Sequence, residues 1–116
     1  MEKNYPEITK RISNSMKTLR KDISHTMQGF SNLAQAATQN GALDKKTKEL
    51  IALAIGISTR CDGCIGFHTE TLIKLGVTRD EFEEVLGMAV YMGGGPSLMY
   101  AADALLAFEQ FSATKV

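Results

Sequence analysis

Cys61 and Cys64 are the only cysteines in the chain, three residues apart, with His68 four residues beyond the second. On a helix these three positions share one face. Unpaired backbone N–H groups and the positive end of the helix dipole favour a thiolate near a helix start. Two cysteines at this spacing can close a disulfide with little rearrangement. An imidazole one turn past Cys64 can take its proton. The set supplies a thiolate to attack, a second thiol to resolve and a base, which is a thiol redox centre. The dipole argument alone makes Cys61 the more acidic thiol. Glu49 is the fourth candidate, twelve residues before Cys61. An antiparallel hairpin would return it to the cysteine helix, where a carboxylate among apolar residues is costly without a partner. The plainer alternative leaves Glu49 solvated at the polar end of its helix. Asp62, between the cysteines, adds negative charge and is expected to raise the thiol pKa values.

Two other uses of these residues remain open. Cys61, Cys64, His68 and Glu49 could ligate zinc, although one continuous helix points three of them down a line, which suits a tetrahedron poorly. Alternatively the chain is a non-catalytic, oligomeric, stress-related domain with an idle disulfide. His25 has no evident partner and reads as a surface or interface residue.

The elements that must hold these groups are all helical. Ile8, Ile12, Met16, Leu19, Ile23, Met27 and Phe30 recur every three or four residues, drawing an apolar stripe after Pro6. Ser24 and Gln28-Gly29 leave one long helix or two shorter ones open. A short helical piece follows over Ser31 to Thr38, and Asn40-Gly41 is expected to end it with a left-handed cap. Asp44 caps a helix whose body, Leu50 to Ile57, is apolar enough to be buried on most sides. Ser58-Thr59 break it and offer caps for the cysteine helix, which starts at Thr59 or Arg60, places Cys61 in its first turn and closes at Gly76. Thr78 to Glu81 is a capping box ahead of Phe82, Val85, Leu86, Ala89 and Val90. Gly93 to Pro96 is a break, and the last helix runs from Ser97 to Phe111. No segment alternates long enough to be a strand. The fold class is all-α, with five or six helices and the C-x-x-C at the N-terminus of a central one.

Composition excludes several classes of function. Thirteen basic and thirteen acidic residues cancel, tryptophan is absent and aromatics are 7%, so no general electrostatic pull toward nucleic acid or an acidic membrane is expected, a local patch being left open. The longest apolar run, Leu50 to Ile57, falls far short of the roughly 20 residues of a spanning helix. MEKNYPEITKRISNSMK lacks the apolar stretch of a signal peptide, so a cytoplasmic location is expected. No dinucleotide or phosphate-loop fingerprint is present, and the chemistry needs no cofactor.

The stretch ELIALAIGISTRCDGCIGFH, Glu49 to His68, resembles the core motif of the carboxymuconolactone decarboxylase superfamily, and within it the alkylhydroperoxidase D (AhpD)-like branch. That motif is a Glu, eleven residues, then C-x-x-C-x-x-x-H. The resemblance continues through Asp80 to Leu86 and Gly93 to Leu105. It implies one AhpD-like domain over residues 1–116, with a helical segment 1–40 and a core 41–112 carrying the motif, assembled as a homotrimer or homohexamer. It implies a thiol-dependent peroxidase or disulfide reductase. Cys64 would be the peroxidatic nucleophile, Cys61 the resolving thiol, and Glu49 and His68 the proton relay. Here the resemblance and the dipole argument differ. The resemblance is preferred, because a neighbouring imidazole and carboxylate can outweigh a helix end. The implied partners are a hydroperoxide and an external dithiol, lipoyl or thioredoxin-like. The best-characterised branch has a second histidine just before the second cysteine, where this chain has Gly63. The decarboxylase branch lacks the cysteine pair.

Overall fold

A computed structural model describes residues 2–114. Among these residues there are six helices and no strand: α1 Tyr5–Asp22, α2 Ser24–Thr38, α3 Lys45–Ser58, α4 Asp62–Lys74, α5 Arg79–Gly93 and α6 Gly95–Thr114. Local chemistry sets most boundaries. Asn4 caps α1 through its side chain, with Pro6 in the first turn. The Asp44 side chain accepts the Thr47 N–H at the start of α3. Thr78 and Glu81 close the expected capping box on α5. Gly94, at φ 71°, turns the chain from α5 into α6, which begins two residues earlier than its apolar pattern suggested.

The core lies where α3, α4, α5 and α6 meet. Leu53 and Ile57 of α3, Ile65 and Leu72 of α4, and Phe82 and Leu86 of α5 are buried there. Each such side chain contributes about 1.5–3 kcal/mol on leaving water. Ala101, Ala104 and Ala107 give α6 a narrow inward face. The rings of Phe82 and Phe108 meet with centroids 4.8 Å apart. Tyr5, fully buried, ties α1 into the same cluster.

Four expectations need correction. The first long apolar stripe is split at Ile23, whose backbone leaves helical geometry (φ −127°, ψ 55°), while Gln28-Gly29 stay inside a continuous α2. The second helical piece therefore starts at Ser24 instead of Ser31. The α2 helix ends on an extended Gln39, and Gly41 does not have a positive φ. The α3 helix is not buried on most sides: Ile51 and Ile55 lie outward, Ile55 at 58% exposure. The cause is layering, since only the α3 face carrying Glu49, Leu53, Gly56 and Ile57 is covered. Finally, the cysteine helix starts later than expected, with Cys61 as its cap.

Candidate active site

The α3–α4 turn is built from backbone hydrogen bonds. Arg60 N–H donates to Ile57 O (3.1 Å) and Cys61 N–H to Gly56 O (2.9 Å). This is the Schellman pattern, with Arg60 in the left-handed position at φ 59°. Cys61 thus finishes α3 and opens α4, where its Sγ accepts the Cys64 N–H at 3.1 Å. One N–H of the helix end therefore points at that sulfur. Cys61 and Cys64 are joined by a disulfide, with Cα atoms 5.2 Å apart.

The antiparallel hairpin then matches the two helices residue by residue. Gly56 of α3 faces Cys64: a Cβ on Gly56 would lie 2.9 Å from the Cys64 Cβ. Two turns back on the same face, Glu49 meets His68, with Oε2 and Nδ1 2.6 Å apart. Glu49 is buried, at 5% exposure, so the solvated reading is set aside. A carboxylate there needs a partner, and His68 supplies it. When Nδ1–H donates to Glu49, Nε2 is left as the basic nitrogen. The His68 side chain keeps 32% of its surface open. His68 lies one turn beyond Cys64 on α4, where side chains are neighbours. The structure thus joins the four residues singled out from the sequence as two pairs, Glu49 with His68 and Cys61 with Cys64, one helical turn apart along α4.

It also adds residues that no local pattern marked. Asp62 is not a bare negative charge beside the sulfurs. Its Oδ1 accepts from Tyr5 OH (2.9 Å) and Lys3 Nζ (3.1 Å). Lys3 also reaches Asp103 Oδ2 at 2.8 Å. The hydrogen bond to Asp103, joined by that to Asp62, holds the Lys3 amine above its usual pKa despite partial desolvation. Burial, then the Asp62 carboxylate, pushes the Tyr5 phenol far above its usual value. The α1 helix lies directly on this end of α4: a Cβ on Gly66 would come 2.5 Å from Thr9 Cγ2, and one on Gly63 2.9 Å from Ile12 Cδ1. The position of the absent second histidine is therefore roofed by α1. His25 lies exposed on α2. Among the described residues no three His, Cys, Asp or Glu side chains are grouped to hold a metal ion.

The sequence profile of the carboxymuconolactone decarboxylase family matches residues 24–107. The fold is similar to the apo crystal structure of a protein of that family from Legionella pneumophila. The TM-score is 0.92 at 63% identity, covering 93% of this chain and 96% of the other. An uncharacterised protein of Cupriavidus necator is 42% identical over 87 residues, 75% of this chain and 77% of its own length. Alkyl hydroperoxide reductase AhpD of Coxiella burnetii is 34% identical over 64 residues, 55% of this chain and 36% of its own length. A buried acid–imidazole pair beside a C-x-x-C disulfide on this helical scaffold agrees with those likenesses: the chain belongs to the carboxymuconolactone decarboxylase family and is AhpD-like within it.

Proposed function

We propose that the chain is a thiol peroxidase that cycles Cys61 and Cys64 between dithiol and disulfide. The observation that carries this reading is the 2.6 Å contact between His68 and the buried Glu49, next to the bonded cysteine pair. In the reduced form, His68 Nε2 takes the proton from Cys64, and Glu49 stabilises the imidazolium that results. The Cys64 thiolate attacks a hydroperoxide oxygen. An S–O bond forms, the O–O bond breaks, and the leaving alkoxide takes the proton from His68 as an alcohol, or as water for hydrogen peroxide. Cys61 then attacks the Cys64 sulfenic acid, forming the disulfide and releasing water. An external dithiol, a lipoyl group or a thioredoxin-like protein, attacks Cys64 and expels Cys61 as thiolate. The Cys64 N–H already aimed at Cys61 Sγ suits that sulfur as the leaving group. The net reaction consumes one hydroperoxide and one dithiol and yields alcohol, water and a disulfide. A dithiol of this kind is at hand in the cytoplasm, the location expected from the sequence.

The same reading takes the chain to work as a homo-oligomer, a trimer or hexamer. Ile51 and Ile55 of α3 with Met88 and Met92 of α5 form an exposed apolar surface, and Phe30 and Leu33 of α2 form another. Contiguous apolar area of this kind is what subunit contacts cover.

Hydroperoxide consumption with reduced lipoamide or thioredoxin tests the chemistry. Cys64→Ser should fall to the background rate, while Cys61→Ser should complete one turnover and leave a trappable sulfenic acid at Cys64. Unchanged turnover by Cys64→Ser rejects the assignment.

A further inference from the structure

Asp62 occupies the first position of α4, between the two sulfur-bearing residues. An acidic residue there favours the helix dipole. Reduction of the disulfide to a thiolate puts a second negative charge at the same helix end, and the two repel. The oxidised pair is neutral and feels little of this. Whatever sets the effective charge of Asp62 therefore acts on the reduced state alone, and shifts the balance between the two forms.

We propose that Lys3 and Tyr5 set the redox poise of the Cys61–Cys64 pair by fixing and neutralising the Asp62 carboxylate. The proposal rests on the redox reading above but not on peroxide as substrate. Tyr5 is fully buried, and without Asp62 its hydroxyl would be an unsatisfied donor. Lys3 Nζ bridges Asp62 and Asp103 and lies 4.9 Å from the centre of the Tyr100 ring. The segment is anchored independently of the lysine side chain. Gln110 Nε2 donates to Lys3 O (2.7 Å), and Tyr5 N–H donates to Gln110 Oε1 (2.8 Å). A change at the ammonium therefore leaves the strand of chain that carries it in place.

The ionisable groups around this turn are few. Lys3 and Tyr5 come from the N-terminal side, Arg60 from the turn itself, Asp103 and Tyr100 from α6, and Glu49 with His68 lie further along the α3–α4 face. Lys3 and Tyr5 both keep their protons through the neutral range, so their grip on Asp62 does not relax there. Within the Lys3–Asp62–Asp103 cluster, two carboxylates and one ammonium leave one net negative charge. Loss of Lys3 leaves two, whereas loss of the Asp62 charge leaves none. Lys3 and Tyr5 are thus positioning residues that act through Asp62.

The test equilibrates the full-length protein in glutathione redox buffers. It reads the oxidised fraction by mass after thiol alkylation, and the pH dependence of alkylation of the reactive thiol. Lys3→Met should make the disulfide about fivefold harder to reduce, ~20 mV for a two-electron couple, and move the thiol titration to higher pH. Asp62→Asn should move both readouts the other way. Tyr5→Phe should follow Lys3→Met with a smaller shift, and Lys3→Arg should restore the wild-type couple. In an Asp62→Asn background the Lys3→Met shift should drop below half. Couples unmoved in Lys3→Met and Asp62→Asn, or a Lys3→Met shift of equal size in both backgrounds, would overturn the proposal. If Lys3→Met does not fold, Asp62→Asn and Tyr5→Phe decide it by shifting in opposite directions or failing to. A wild-type protein with no reversible thiol couple sinks this proposal together with the redox reading. A couple that consumes no peroxide sinks the peroxidase reading alone.

Discussion

At the scale of single residues, Glu49 is the group whose burial has no structural justification except His68. A glutamine there keeps the shape and one hydrogen bond to the ring, but cannot stabilise the imidazolium formed when Cys64 gives up its proton. Glu49→Gln should therefore lower kcat/KM for hydroperoxide by about 10²-fold while the melting temperature stays within a few degrees. Steady-state turnover and thermal melts together check this. Glu49, Cys61, Cys64 and His68 could be found from the sequence because they lie within twenty residues on two successive helices, so spacing alone predicted their meeting. Lys3, Tyr5 and Asp103 could not. Tyr5 and Asp62 are 57 positions apart and Lys3 and Asp103 are 100 apart, and no periodicity encodes such pairs. Asp62 was read as an isolated charge, whereas its Oδ1 is held by Lys3 and Tyr5.

At the scale of elements, the site depends on how closely α1 and α3 approach the start of α4. Gly66 makes the approach of α1 possible, because Thr9 and Tyr5 occupy the space a methyl group would need. Thr9 is buried and β-branched, so it has little freedom to yield. Gly66→Ala should cost about 1–3 kcal/mol by overpacking, read as a lowered denaturation midpoint with an unchanged slope. A stability equal to wild type would show that α1 lifts away without loss. Helix starts were easily read where a side chain caps the backbone, as at Asp44 and Thr78. The start of α2 was misread where none does. No side chain caps α2 at Ile23, so nothing in the residue types marked that break. Gly29 and Gly41 suggested punctuation that the backbone does not use. Cys61 was missed as a cap because its role depends on the Schellman turn before it, and there a left-handed Arg60 stands where glycine is usual.

At the scale of the whole molecule, the apolar pattern of the sequence overstated what one chain buries. Phe30, on the first apolar stripe, is 67% exposed, and Met92 of α5 is 76% exposed. Periodicity reports that a face is apolar, and does not distinguish a neighbouring helix from a neighbouring subunit. Light scattering should therefore give a mass several times the 12.7 kDa of one chain, and Ile55→Lys with Met92→Lys should reduce it while retaining the helical circular dichroism. A wild-type mass of one chain would remove the oligomeric reading. The clasp of Gln110 on Lys3 and Tyr5 joins positions separated by 107 and 105 residues. During translation the cysteines emerge long before the glutamine that secures their surroundings. A nascent chain paused between them would expose its thiols without the finished electrostatic setting, so ribosome-bound intermediates should differ from the released protein in their susceptibility to oxidants.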